Sequence, residues 1–162
     1  METRMKIRPE EFRAALGRFA SGVTIVTTRD REGRLHGITV SAFCSVSLDP
    51  PLILICIEKN AGSHRALEES RAFVVNILRE EQQYVSDRFA SASPDKFDGL
   101  RFRPGIESLP VLEDALVSLE CRLLIAYDGG NHAIYIGEVA AATVNDARPL
   151  VYFQGGYRKI DG

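Results

Sequence analysis

Gly37-Ile38-Thr39-Val40-Ser41-Ala42-Phe43-Cys44-Ser45-Val46-Ser47-Leu48-Asp49-Pro50-Pro51-Leu52-Ile53-Leu54-Ile55-Cys56-Ile57 sets small hydroxyls between two apolar runs. Thr39, Ser41, Ser45 and Ser47 fall at even spacings, so on an extended backbone their side chains share one face. The proline pair breaks the chain. Leu52 to Ile57 then follows as a continuous apolar strand, of the kind covered on both faces. A row of neutral hydroxyls with main-chain amides suits a planar, hydrogen-bonding ligand that carries a phosphate. It does not suit a metal, and it lacks the charge of an acid/base pair. The same spacing also describes an ordinary amphipathic strand with a solvated Ser/Thr face.

Working outward, the flanking segments read as strands joined by tight turns. Upstream, Phe12, Ala15, Leu16 and Phe19 recur at helical spacing behind Pro9, which predicts an N-terminal helix with one apolar side. Gly22 ends that connection, and the β-branched run Val23 to Thr28 predicts a strand. Asp30-Arg31-Glu32-Gly33 turns it into a hairpin with Leu35 to Val40. Downstream, Ser63 is placed to cap a helix through Glu69, and Phe73 to Leu78 is another strand. Glu80 to Phe89 reads as a helix with Tyr84, Val85 and Phe89 on one side, and residues 90–106 as a long loop. Ala115 to Tyr127 and Ala133 to Thr143 are long strands around the turn Asp128-Gly129-Gly130-Asn131. Leu150 to Phe153 is a last short strand. Many strands, few helices and hairpin connections predict a mainly β fold, an antiparallel barrel with peripheral helices. The chain reads as a single domain over 1–162, with its core at about 12–157.

Composition narrows the chemistry. The 162 residues are 45% hydrophobic and 26% charged, and the net charge of −2 leaves no basic footprint for nucleic acid. No apolar run approaches the roughly 18 residues of a membrane span. No apolar stretch follows Met1 to Lys6, so no secretory signal is expected. Cys44, Cys56 and Cys121 lie far apart without a Cys-x-x-Cys pair. That pattern predicts neither a metal site nor a disulfide, and fits free thiols in a reducing cytoplasm. There is no Gly-x-Gly-x-x-Gly and no P-loop. A nicotinamide cofactor, if used, has no dinucleotide domain to sit in.

Four segments, in order, carry a family resemblance. They are Phe12 to Thr28, Thr39 to Ser47 with Pro50-Pro51, Asn131-His132-Ala133-Ile134-Tyr135-Ile136-Gly137-Glu138-Val139, and Phe153-Gln154-Gly155-Gly156-Tyr157. Together the chain resembles the short-chain flavin reductases, the reductase components of two-component flavin-dependent monooxygenases. The resemblance implies an FMN-binding split barrel of Greek-key type, working as a homodimer. It implies an NAD(P)H:flavin oxidoreductase that reduces FMN or FAD with NADH or NADPH and supplies a partner monooxygenase. Other functions on the same fold are an FMN-dependent oxidase and a flavin-binding module without turnover.

Residue by residue, the resemblance puts Thr39 and Ser41 at the flavin's phosphate and ribityl chain, with backbone from Val40 and Ala42. It puts Ser45, Val46 and Ser47 along the ring, with Cys56 and Ile57 on the adjoining strand. Asn60 and Ser63 fall in the next turn, near the phosphate. Arg88 and Phe89 approach from the second helix, and Tyr157 from the end of the chain. His132 takes the catalytic position beside the nicotinamide. Family members commonly carry Asp before this histidine, whereas this chain has Asn131. Loss of that carboxylate removes a partner that would raise the imidazole pKa.

Overall fold

A computed structural model describes residues 6–161. Its main body is a seven-stranded sheet in the order β3-β2-β6-β9-β10-β5-β4, antiparallel throughout. The strands are β2 (Thr24–Arg29), β3 (Leu35–Val40), β4 (Phe43–Ser47), β5 (Leu52–Glu58), β6 (Ala72–Ile77), β9 (Val117–Gly129) and β10 (His132–Val144). The two ends of this order, β3 and β4, are consecutive in the chain and joined only by Ser41-Ala42. The sheet must therefore curl until its ends meet, and it becomes a barrel. The closure is made by a covalent corner rather than by a ladder.

This corner corrects the reading of Thr39 to Ser47 as one extended run. The chain turns after Val40, where the Phe43 amide donates to the Ser41 carbonyl at 3.0 Å. Thr39 and Ser41 stay with β3, whereas Ser45, Val46 and Ser47 move to the outer strand β4. A register shift between Ser45 and Ser47 breaks their alternation. Strand β5 is also not covered on both faces. Ile53, Ile55 and Ile57 are buried, while Leu52, Leu54 and Cys56 are only half-buried, because no helix lies over the outer side.

Inside the barrel, Val26, Ile55, Ile57, Phe73, Val75, Cys121 and Tyr135 form one core. A Cβ on Gly137 would stand 2.6 Å from the Phe73 ring, so only glycine lets that ring pack this closely against β10. A second core, of Val23, Ile25, Leu78, Val85, Phe89 and Leu150, sits under α3 (Gln83–Ala90). A turn of 3-10 helix over Glu80–Gln82 precedes α3. Tyr84 points to solvent at 56% exposure rather than sharing the side of Val85 and Phe89.

The segment 90–106 is less irregular than expected. It contains β7 (Phe102–Pro104), which pairs with β8 (Pro110–Leu112). The remaining irregular stretch is tied down by Lys96, whose Nζ donates to the Phe89 and Gly37 carbonyls at 3.1 and 3.2 Å.

Helix α1 (Pro9–Leu16) forms behind Pro9 as predicted, but buries none of its residues. Phe12 and Leu16 are at least half exposed, and Phe19 lies beyond the helix at 83%. The helix is moored by its end, where the Gln154 amide donates to the Gly17 carbonyl at 2.8 Å. Gln154 belongs to the turn between β11 (Val151–Phe153) and β12 (Gly156–Arg158), which form a small sheet with β1 (Ser21–Gly22). Helix α2 (Gly62–Ser70) starts two residues earlier than the sequence suggests. Ala61 is at the cap, and Ser63 lies inside the first turn. No helix among the described residues is long and apolar enough to cross a membrane.

Candidate functional site

The covalent corner leaves a seam. Strand β3 pairs only with β2, so its other edge faces β5 without a ladder. Strand β4 pairs with β5 only as far as Ile55. Beyond that, the Cys56 amide donates to the Ala42 carbonyl at 3.1 Å, and then the two edges part. Buried or half-buried backbone groups without a ladder partner seek another hydrogen-bonding group. A flat ligand with polar edges can supply it.

A cleft of about 190 Å³ occupies this part of the seam. Thr39, Val40, Ser41, Ala42, Cys56, Ile57 and His132 all line it, together with Ile38 and Glu58. The structure thus gathers seven of the sequence-predicted residues from three distant segments. Val40 and Ile57 have their side chains in the core, at 5% and 1% exposure, so they offer main chain only. His132 opens β10 directly opposite Glu58, and its Nδ1 lies 2.7 Å from the Asn131 Oδ1. The side-chain amide therefore orients the ring as a carboxylate would, without adding charge.

Ser41 also lines two neighbouring clefts. One, of about 240 Å³, lies between Thr39, Ser86, Tyr152 and Tyr157. The other, of about 310 Å³, is walled by Phe19, Gly22, Phe43 and Ile77 and is mainly apolar. In the first, the Thr39 Oγ1 donates to the Ser86 carbonyl at 2.6 Å. The Ser86 hydroxyl in turn meets the Tyr157 hydroxyl at 2.7 Å, and Tyr157 donates to Asp87 at 3.0 Å. Burial raises the Tyr157 pKa, so the phenol stays a donor. These contacts fix the Thr39 hydroxyl as a donor to protein and leave its lone pairs for a ligand.

Other expected residues stand apart. Ser45, Val46 and Ser47 line none of these clefts. Asn60 is exposed in the turn before α2. Ser63 lines a separate cleft beyond it. Arg88 donates to the Asp98 carbonyl at 2.6 Å and holds the loop. Phe89 is wholly buried, with its ring edge-on to Phe97 at 5.1 Å, so its ring packs the core instead of touching a ligand. Ser86, Tyr152 and Glu58 were not legible in the sequence, since nothing local marks a residue as facing a cleft made by distant strands.

No strong nucleophile faces the seam. Burial, and next the neighbouring Cys44, raise the Cys56 thiol. Cys121 is pushed up to about 12 by burial first and Glu120 second. Thiols held protonated are poor nucleophiles and poor metal ligands. Open strand edges, neutral hydroxyls, one imidazole and the exposed Glu58 carboxylate at the rim remain. That donor set fits the polar rim of a flavin ring and its ribityl chain.

A seven-stranded antiparallel barrel with an open seam of this chemistry defines a flavin-binding split barrel. The chain belongs to the flavin reductase like domain family, whose family model matches residues 16–161. It is 40% identical over 156 residues to the reductase subunit HsaB of a flavin-dependent monooxygenase from Rhodococcus jostii (strain RHA1), covering 96% of this chain and 80% of that protein. It is 41% identical over 160 residues to an NADH-dependent flavin reductase from Rhodococcus sp, covering 96% and 89%. Among solved structures, the NADH:FAD oxidoreductase SgcE6 of Streptomyces globisporus C-1027, in complex with NAD and FAD fragments, superposes with a TM-score of 0.89. It is 34% identical, with 97% of each chain covered.

Proposed function

We propose that this chain is an NAD(P)H-dependent flavin reductase that holds FMN or FAD along the seam and supplies reduced flavin to a separate monooxygenase. The observation that carries the reading is the seam, with two open strand edges, Thr39 and Ser41 on one side, and His132 at its end. When flavin and reduced nicotinamide are bound together, they supply the hydride chemistry. The chain supplies position and polarity. Thr39 and Ser41 present hydroxyl oxygens to the ribityl chain. Ala42 and Cys56 close the end of the seam, and the main chain of Val40 and Ile57 borders the ring. The Cys56 thiol stays protonated and takes no covalent part.

The test is to mix the chain with NADH and with FMN, FAD or riboflavin, and to follow NADH absorbance. Steady, flavin-dependent oxidation is expected. Flavin bound without NADH loss would identify a binding module instead. Oxidation of a small amine without NADH would identify an oxidase. Widely spaced thiols without a Cys-x-x-Cys pair support a cytoplasmic setting.

His132 positions the nicotinamide and does not work through its proton. Asn131 holds the ring without lending it charge. His132→Ala is expected to raise the KM for NAD(P)H by about tenfold, the worth of one hydrogen bond to a bound ligand, with a smaller loss in kcat. Flavin affinity stays near that of the parent chain, and His132→Asn recovers part of the loss. A large kcat loss in both variants, with a parent pH profile that breaks at an imidazole pKa, would reject this role.

A homodimer covers the outer sheet. Leu124, Ile125, Tyr127 and Val144 on β9 and β10 are 41–75% exposed, and Leu48 beside β4 is 96% exposed. Exposed apolar side chains along two long strands are of the kind that an isologous pair buries. Sedimentation at micromolar concentration should give twice the 17.9 kDa chain mass. A fully active monomer would overturn the dimer.

A further inference from the structure

Side chains alternate along β5, so Cys56 and Glu58 share its outer face. Ile134 and His132 on β10 stand directly opposite them. Glu58 and His132 are therefore cross-strand neighbours, and both line the cleft of about 190 Å³ in the seam. Glu58 is exposed, and its carboxylate makes no ion pair and accepts no hydrogen bond among the described residues. The neighbouring Lys59 is taken up by Asp128 in the hairpin turn.

No cation answers Glu58 from across the seam. Among the described residues, no Lys or Arg lines this cleft or either of the two clefts that join it at Ser41. Arg88, on α3, is turned to the Asp98 carbonyl. His132 is the one group in these walls able to take a positive charge, and the Asn131 side chain already occupies its Nδ1. The walls are otherwise neutral, so Glu58 sets the sign of the field at the rim.

That sign bears on which reduced nicotinamide the seam accepts. NADH and NADPH share the same reacting ring and the same pyrophosphate. They differ by one phosphate on a ribose 2′-oxygen, which carries about −1.5 to −2 charges at neutral pH. A free ribose diol can donate to a carboxylate, whereas a 2′-phosphate calls for Arg or Lys. Pockets that bury a drug-sized ligand run to about 300–1,000 Å³. A cleft of about 190 Å³ is smaller, so the phosphorylated parts of a dinucleotide lie at its rim, where Glu58 stands.

We propose that Glu58 is a specificity-determining residue, the negative charge by which the seam takes NADH in preference to NADPH. It acts by repelling the 2′-phosphate, with no cation in the walls to offset it. The proposal rests on the reductase reading of the seam. Because both cofactors carry the pyrophosphate, the ratio of their kcat/KM values, and not either rate alone, reports on Glu58.

The test measures kcat/KM for NADH and for NADPH with saturating FMN, in the parent chain, Glu58→Gln and Glu58→Lys, at low and at high salt. Both variants should fold, since the side chain is exposed and unpaired. The parent should favour NADH. Glu58→Gln should raise the NADPH-to-NADH ratio about fourfold at about 0.01 M salt, the effect of one charge acting on a doubly charged phosphate about 10 Å away in water. Glu58→Lys doubles the change in charge and should raise the ratio about fifteenfold. At about 0.5 M salt both gains should shrink toward unity, because the screening length is then far shorter than that separation. A loss of packing alone would lower both rates together and leave the ratio where it was. A parent that favours NADPH, a ratio unmoved in both folded variants, or a shift of equal size at both salt levels overturns the role of Glu58 and leaves the reductase reading standing. A parent chain that oxidises neither cofactor with any flavin overturns both.

Discussion

Ser41→Leu is expected to weaken flavin binding by about a hundredfold and to leave the barrel folded. Ser41 is exposed at the corner between β3 and β4, so its side chain carries no core contact. It is nonetheless common to three clefts that meet at the seam. A leucine there removes one hydroxyl and fills the space where those clefts join. The lost hydrogen bond costs about 1–3 kcal/mol at a buried ligand, and steric overlap adds to it. Each 1.4 kcal/mol is a factor of about ten in affinity. Stability should change by no more than about 0.5 kcal/mol, as for other exposed substitutions. Ser41→Ala separates the two contributions, since it deletes the hydroxyl without filling the seam, and should cost about tenfold or less. Fluorescence titration beside a thermal melt reads both quantities. A folded Ser41→Leu chain that titrates flavin with parent affinity would move the ligand away from this corner.

That prediction uses a site only partly legible in the sequence. The hairpins were readable because their signals are local: Asp30 to Gly33, and the glycines before Asn131. The β-branched and apolar runs placed β2, β5, β6, β9 and β10 to within a residue or two. The corner at Ser41-Ala42 was not readable. It carries neither Gly nor Pro, and a two-residue step preserves the even spacing of hydroxyls on either side. The reading thus put Ser45 and Ser47 beside Thr39, although the sheet order places them on strands at opposite ends. Helix α1 shows a related limit. Its periodicity was right, yet periodicity marks an apolar stripe and not what the stripe faces. Thr39, Ser41, Cys56 and His132 could be grouped before the fold was known only through family resemblance, because the pairings that unite them are non-local.

Asn76 is a second residue whose importance only the fold reveals, and its loss should be the largest stability effect in the chain. It sits in the run Phe73 to Leu78, where a polar side chain looks like an interruption. In the structure it is wholly buried, and both ends of its amide are used. The Nδ2 donates to the Ile25 carbonyl at 2.9 Å and to the Thr27 hydroxyl at 3.1 Å. The Oδ1 accepts from the Leu112 amide at 3.0 Å and from the Ser118 hydroxyl at 3.3 Å. One side chain thereby ties β2, β8 and β9 to β6. Asn76→Leu keeps similar volume but takes a partner from four polar groups in residues that are all 5% exposed or less, of which only the Thr27 hydroxyl keeps another side-chain bond, to the Pro110 carbonyl. An orphaned buried donor or acceptor costs about 1–3 kcal/mol, and partial relaxation among the hydroxyls brings the total to about 3 kcal/mol. For a chain of this length that is a fall in Tm of about 6–12 °C. Asn76→Asp retains the acceptor but sets a carboxylate against the Ile25 carbonyl, in a site that raises its pKa. The folded chain then holds the proton more tightly than the unfolded one. The variant's stability is therefore best at low pH and is lost as pH rises above the ordinary carboxylate value of about 3.9. The consequence reaches the seam, because β2 holds β3 in place through the bond from the Thr24 hydroxyl to the Val40 carbonyl at 2.6 Å. Flavin affinity should fall in Asn76→Leu as β2 loosens, while Ser41→Leu loses affinity without losing stability. An Asn76→Leu chain that melts within a degree or two of the parent would show that the four groups find other partners, and that the network is not what fixes this side of the barrel.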